Sequence, residues 1–204
     1  QIVHCGRQSN PKALNGVQAV APSATPELFY LTRSRAMTGD EIEQTVKDFG
    51  DAAARVKEAA FDAVQIHGAH GYLVSSFLTP LTNRRRDKWG GDAARRFRFP
   101  SEVYNSVRRA VGLDFPVLFK MNANDFIWNG MTPRESFPAA QRLAEMGLDA
   151  LELSGGVFEM FLHICRGSWP MEITALDRNP IVRQGVLTAL RLQKMSIPFK
   201  EAYF

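Results

Sequence analysis

An α/β fold built on a parallel sheet is predicted by three features of the chain. Short apolar runs alternate with amphipathic helical segments, so that strand and helix succeed one another from the start of the sequence to about residue 156. Each run is followed directly by polar or glycine-rich residues, as at His67-Gly68-Ala69-His70-Gly71-Tyr72 and Ser154-Gly155-Gly156. The run Phe115 to Met121, FPVLFKM, is almost continuously apolar, which marks a strand covered on both faces. A doubly wound open sheet and a (β/α) barrel both meet this pattern, and both hold ligands at the carboxyl ends of their strands. No GxGxxG follows a strand, which counts against a dinucleotide-binding open sheet.

Taken in order, Gln1 to His4 is a short extended run that gives way to Cys5-Gly6-Arg7, the pattern of a strand ending in a loop. Gln8 to Met37 is rich in Pro, Ala, Ser, Thr and Asn with little periodicity and predicts a long irregular loop over a surface or site. Thr38-Gly39-Asp40-Glu41 is a capping box, after which Ile42, Val46, Phe49, Ala53, Val56 and Ala60 recur at helical spacing, so a helix is expected from about Asp40 to Ala59. The strand Ala63 to His67 follows at once. Asp92 to Val111 carries a second helix with Phe99, Val103, Val107 and Ala110 on one face. The strand Phe115 to Met121 has Lys120 near its end and is followed by Asn122, Asn124 and Asp125. Thr132-Pro133-Arg134-Glu135 repeats the capping chemistry with Pro at the first helical position and opens a helix to about Met146. Leu148 to Leu153 is the next strand. Beyond it, FEMFLHICRGSW is expected to form a loop, Asn179-Pro180 to open a helix through about Lys194, and Phe199 to Phe204 to begin another. The first residue is Gln1, directly on an apolar run, and no helix terminator precedes Phe204, so both ends look cut.

The 204 residues, 45% hydrophobic and 23% charged, describe an ordinary soluble globular chain and exclude a disordered one. Its formal charge of +4 comes mostly from bases interleaved with acids; the one dense cluster is Arg84-Arg85-Arg86 with Lys88. Without aromatic residues interleaved, that cluster predicts a solvated or anion-binding loop and no nucleic-acid partner. Cys5 and Cys165 lack the spacing of a zinc site or a disulfide framework, which fits a reducing, cytoplasmic setting. There is no signal peptide and no apolar run of about 18 residues, so neither secretion nor a membrane span is expected.

The chemistry is expected around Phe61 to Gly91, where an apolar strand delivers His67, His70 and Tyr72 within six positions. Two imidazoles three apart past a strand end can converge on one atom. As zinc ligands they lack a third partner at useful spacing; satisfied core histidines remain the other reading. Tyr72 alone would more often be a packing aromatic, whereas Lys120 on a buried strand requires a partner. Arg96 and Arg98 are expected on a helix face.

The run Gln1-Ile2-Val3-His4-Cys5-Gly6-Arg7, the block HGAHGYLVSSFLTPLTNRRRDKWGG, and Arg96-Phe97-Arg98-Phe99 resemble the FMN-dependent old yellow enzyme family of NAD(P)H:flavin oxidoreductases and ene-reductases. The similarity runs in order from Gln1 to about Gly156, and more loosely to Glu201-Ala202-Tyr203-Phe204. It implies a TIM (β/α)8 barrel, of which residues 1 to 156 supply strands three to six, inside one partial FMN-binding domain over residues 1–204. It further implies that His67 and His70 bind a substrate carbonyl or phenolate, and that Tyr72 donates a proton to the α-carbon of an enone-like small molecule. Gln1 would hydrogen-bond the polar edge of the flavin pyrimidine. Lys120 would stand near flavin N1 and O2, as a point charge in place of arginine's fork, with NAD(P)H as reductant. Where the family reads Glu-Asn-Arg, this chain has Ala94-Arg95-Arg96, which removes an acid expected to anchor the loop. The strands that open the family's barrel, and the last two that grip the FMN phosphate, have no counterpart in this stretch. The alternative is therefore a non-catalytic fragment that cannot hold FMN alone, whose open strand edges favour pairing with another copy as a homo-oligomer.

Overall fold

A computed structural model of the chain describes residues 1–157. The loop FEMFLHICRGSW, the helices expected from Asn179 and from Phe199, and Cys165 lie outside the described residues.

After the extended start and a 3-10 turn at Gly6–Gln8, the segment expected to be an irregular loop contains four two-residue strands. Strand β1 (Val20–Ala21) pairs in parallel with β4 (Arg35–Ala36), and β2 (Pro26–Glu27) pairs antiparallel with β3 (Thr32–Arg33). Pairings this short leave no periodicity in the sequence. The β2–β3 turn is closed by Glu27, buried, whose carboxylate accepts from the backbone N–H groups of Phe29 at 2.9 Å and Tyr30 at 2.6 Å.

Helix α1 (Gly39–Glu58) begins where the capping box places it: Thr38 Oγ1 accepts from the Glu41 N–H at 3.2 Å, and the Thr38 N–H donates to Glu41 Oε2 at 2.8 Å. Strand β5 (Val64–Gly68) follows, and then a short helix α2 (Leu73–Leu78) that the sequence pattern does not reveal, all of it buried. Helix α3 (Ala93–Val111) is capped by Asp92, whose Oδ1 accepts from the Arg95 N–H at 2.8 Å. The α1–α3 contact is close at Gly50, where a Cβ would lie 2.5 Å from Ser106 Oγ. Strand β6 spans Val117–Asn124, three residues beyond the expected end, because its ladder continues for as long as β7 (Ala150–Gly155) offers partners, up to Asn124 opposite Gly155. Between them lies α4 (Pro133–Glu145), with Pro133 at its first position.

Strands β5, β6 and β7 are parallel neighbours in that order, and Ile2 adds a parallel bridge to Ile66 on the outside of β5. Four chain segments thus lie side by side in sequence order. A doubly wound sheet reverses its strand order at a switch point, whereas a barrel wall does not. This wall is an arc of a (β/α) barrel. Along each strand the side chains alternate: Val64, Ile66, Val117, Phe119 and Met121 are buried in a core shared with Ile42, Phe49, Val103, Tyr104, Val107 and Leu143 of the helices. The intervening residues face the other way and carry the polar groups. Among the described residues no helix is long and apolar enough to cross a membrane.

Two basic features are more firmly anchored than their sequence context shows. Arg85 donates to Pro22 O at 2.9 Å and Met37 O at 2.7 Å and pairs with Asp87, while Lys88 pairs with Glu43 at 2.7 Å. Arg85 and Lys88 therefore tie the α2–α3 loop to the N-terminal loop and α1, while Arg84, Arg86 and Lys88 are exposed, as expected of a solvated loop. Arg96 stands on α3 as expected but is buried. Its guanidinium donates to Leu78 O at 2.9 Å, Gly91 O at 2.6 Å and the carboxylate of Glu135, so the loop is anchored by α4 in the absence of the acid expected beside it in sequence.

Candidate active site

The site forms where β5 ends. Gly68 is required there because a Cβ would lie 2.3 Å from the Phe119 ring. The chain then turns sharply through His70 (φ +60°) and Gly71 (φ +81°), both in the left-handed region. His70 is held in that conformation by its N–H, which donates to Asn122 Oδ1 at 3.2 Å on the neighbouring strand, and by a parallel bridge to Val157. Asn122 is fully buried and uses its Nδ2 on Asp125 Oδ1 at 2.8 Å and Gly156 O at 2.7 Å, so one amide fastens three loop ends together. The turn delivers Tyr72 as the first flank of α2.

This brings the three residues expected to carry the chemistry into one cluster. The His67 ring lies 5.3 Å from that of His70 and 5.0 Å from that of Tyr72. His67 is 5% exposed, and neither of its ring nitrogens has a hydrogen-bond partner. Such a buried orphan costs on the order of 1–3 kcal/mol, and native structures retain one only for a reason. Burial, followed by the charges of His70 and Lys120, lowers the His67 pKa to about 4. Burial and Lys120 lower that of His70 as well, and burial, with Cys5 and Tyr30 adding to it, raises that of the Tyr72 phenol. At neutral pH the cluster therefore presents two uncharged imidazoles and a protonated phenol. The second ring offers Nε2 to Ser154 Oγ at 2.7 Å.

Beside this cluster, on the same inward face, His67, Lys120 and Glu152 stand in register across β5, β6 and β7. Lys120 Nζ pairs with Glu152 Oε1 at 2.7 Å, and Glu152 Oε2 accepts from Gln65 Nε2 at 2.7 Å. Gln65 Oε1 in turn accepts from Gln1 Nε2. Gln1 and Lys120, far apart in sequence, are thus the two ends of one polar row crossing four segments of the wall. Gln65, Asn122 and Glu152 were not singled out from sequence. For Gln65 and Asn122 the signal is the period of two: counting back from His67 reaches Gln65, and counting on from Lys120 reaches Asn122, whereas Glu152 is placed only by the strand register. Among the described residues no three His, Cys, Asp or Glu side chains converge as a metal site.

Residues 1–186 match the family model described as the NADH:flavin oxidoreductase / NADH oxidase family. The chain is 45% identical over 196 residues to an NADH oxidase of Thermoanaerobacter brockii, an alignment that takes in 92% of this chain and 30% of that protein. It is 40% identical over 156 residues to an NADPH dehydrogenase of Geobacillus sp. strain WCH70, covering 76% and 44% respectively. Among solved structures, a 2-naphthoyl-CoA reductase in complex with 2-naphthoyl-CoA superposes with a TM-score of 0.74 at 30% identity, over 78% of this chain and 26% of that one. The old yellow enzyme homologue from Zymomonas mobilis superposes with a TM-score of 0.68 at 28% identity, over 91% and 58%. The chain spans less than half the length of the two curated relatives. Sequence, wall topology and these matches agree: the chain belongs to the NADH:flavin oxidoreductase / NADH oxidase family, the old yellow enzymes, and its parallel wall is an arc of their TIM barrel.

Proposed function

We propose that this protein takes hydride from NAD(P)H and delivers it, by way of FMN, to an electron-poor small molecule such as an activated alkene, within a cytoplasmic domain to which residues 1–204 contribute. The observation that carries this reading is the buried, unpartnered imidazole of His67 beside His70 and Tyr72. Two ring nitrogens without partners are a cradle for a ligand oxygen or N–H. The residues present also fit the cofactor: the carboxamide of Gln1 offers both a donor and an acceptor to an imide edge, and Lys120 offers a cation to a ring that gains negative charge. When bound, FMN supplies the two-electron chemistry that no side chain here can supply.

Reduction of an enone leaves negative charge on its carbonyl oxygen and calls for a proton at its α-carbon. His67 and His70, both neutral, donate N–H groups to that oxygen without introducing a second full charge into a dry site. For His70 this requires sharing or exchanging its contact with Ser154. Tyr72, kept protonated by burial, gives the proton to carbon. Gln1 and Lys120 hold the cofactor in place and do not touch the acceptor.

The test is direct. Purified protein reconstituted with FMN is expected to be yellow and to oxidise NAD(P)H faster when a cyclic enone is added. Tyr72→Phe is expected to slow turnover of the enone by about 10²-fold or more while leaving reduction by NAD(P)H intact. A protein that stays colourless, or whose oxidation of NAD(P)H ignores the enone, would overturn the reading. Titrating FMN into the 204-residue chain also separates it from a second one, favoured by the share of its relatives that the chain spans: a piece of barrel that retains no flavin alone and self-associates through its open edges.

A further inference from the structure

We propose that Glu152 is a positioning residue that sets how much of the Lys120 charge a bound flavin experiences; this rests on the function proposed above. An acid on the inward face of this wall is not needed for folding, since the face is polar and Glu152 is about half exposed. It also works against the obvious purpose of Lys120, because a carboxylate 2.7 Å from the ammonium weakens the field that favours an anion. Yet Glu152 is firmly placed. One oxygen takes Lys120, the other takes Gln65, and the strand register puts the residue directly opposite Lys120. Lys120 and Gln65 both lower the pKa of Glu152, so it is charged at neutral pH.

The two contacts do different things. The ion pair restrains a four-carbon side chain with many rotamers, so that its ammonium points along the wall instead of into the lumen at random. It also opposes the effect of the cation: flavin that has accepted a hydride carries one more negative charge than before, and a fully uncompensated ammonium would stabilise that charge more strongly. Glu152 therefore holds the reduced state less stable than Lys120 alone would make it, which keeps the hydride easy to pass on. Through Gln65 the same carboxylate orients the Gln1 amide. Gln1, Gln65, Lys120 and Glu152 act as one unit.

The substitution Glu152→Gln keeps the shape and an acceptor oxygen for Gln65 but removes the charge. In FMN-loaded protein the two-electron midpoint potential is expected to rise, with about a tenfold shift toward reduced flavin, or about 30 mV. In a Lys120→Met background the same substitution is expected to raise the potential by clearly less, because only the carboxylate's own charge, and not its hold on the ammonium, is then removed. An unchanged potential in the single variant, or an equal rise in both backgrounds, would overturn the proposal. A second readout needs no flavin. The His67 ring is faced by His70, Tyr72, Lys120 and Glu152, and its titration, followed by NMR in the 204-residue chain, is expected to move to lower pH in Glu152→Gln as the Lys120 charge becomes uncompensated. If the wild-type protein binds no flavin, the function proposed above fails and this titration alone decides: a downward movement that shrinks in a Lys120→Met background supports the Lys120–Glu152 coupling, and an unmoved His67 or an equal movement in both backgrounds overturns it.

Discussion

The two faces of the β5–β6–β7 wall are made by alternate residues of the same strands, yet they are built on opposite terms. On the outer face Val64, Ile66, Val117, Phe119 and Met121 are each 1% exposed or less and belong to one hydrophobic cluster. On the inner face, offset by one residue, stand Gln65, His67, Lys120, Asn122, Glu152 and Ser154, joined by hydrogen bonds and an ion pair, with His67 left unsatisfied. The outer face gains its stability from area removed from water, at roughly 25 cal/mol per Å². The inner face contributes little of that kind and keeps groups a purely structural sheet would discard. Parity along a strand thus separates what holds the protein together from the residues proposed above to act on ligands, and a register slip of one residue would exchange the two.

The comparison is tested hardest where the outer face is densest. Phe119→Ala removes a fully buried ring at the centre of the wall, against which Gly68 is already packed too closely to admit a Cβ. A loss of about 3–5 kcal/mol in unfolding free energy is expected from urea denaturation. That is a large share of the 5–15 kcal/mol typical of a domain. A loss below about 1 kcal/mol would mean that the outer face is not the source of stability.

At the rim where the faces meet, Asp125 is expected to give an intermediate effect. Its carboxylate is buried, which raises its pKa, and its two oxygens accept from Asn122 Nδ2 at 2.8 Å and from the Met131 N–H at 2.7 Å. Asparagine has a single acceptor oxygen, so in Asp125→Asn an amide NH2 must confront a donor. About 1–3 kcal/mol of stability should be lost. The change should also reach the inner face, because Asn122 is the acceptor for the His70 N–H; faster hydrogen exchange at the His70 amide is the readout. Unchanged exchange would show that the two faces do not communicate through this rim.

Much of this division was legible beforehand, and the remainder was not for definable reasons. The helices announced themselves through Thr38-Gly39-Asp40-Glu41 and Thr132-Pro133-Arg134-Glu135, because capping is local chemistry. The place of His67, His70 and Tyr72 followed from a strand ending in glycine-spaced polar residues. Helix α2 was hidden: all six of its residues are buried, so it has no polar face to create a period. The extension of β6 to Asn124 depends on how far β7 runs, which is a property of two segments distant in sequence and not of either alone. Glu152 was invisible for the same reason, since only the register sets it opposite Lys120. Arg96 looked like a helix-face cation because its acceptors, Leu78 O, Gly91 O and Glu135, are contributed by three separate elements.

The smallest stability change at neutral pH is expected at the residue on which the proposed function rests. His67→Leu replaces a buried ring with two unpartnered nitrogens by an apolar side chain, deleting a desolvation cost along with the ring contacts to His70 and Tyr72. These terms oppose one another, so the net change at pH 7 should be under about 1 kcal/mol in either direction, while reduction of an enone should be lost. The pH dependence makes the test specific. His67 has an ordinary pKa of 6.5 and a folded value of about 4, so between these limits the unfolded chain binds the proton and the folded one does not. Its contribution to stability is therefore complete above pH 6.5 and lost progressively as the pH falls toward 4. Urea midpoints measured across that window should fall more steeply for the wild type than for His67→Leu. If the variant instead loses as much stability at pH 7 as Phe119→Ala, His67 is a structural residue, and the division of labour between the faces fails at the point where it matters most.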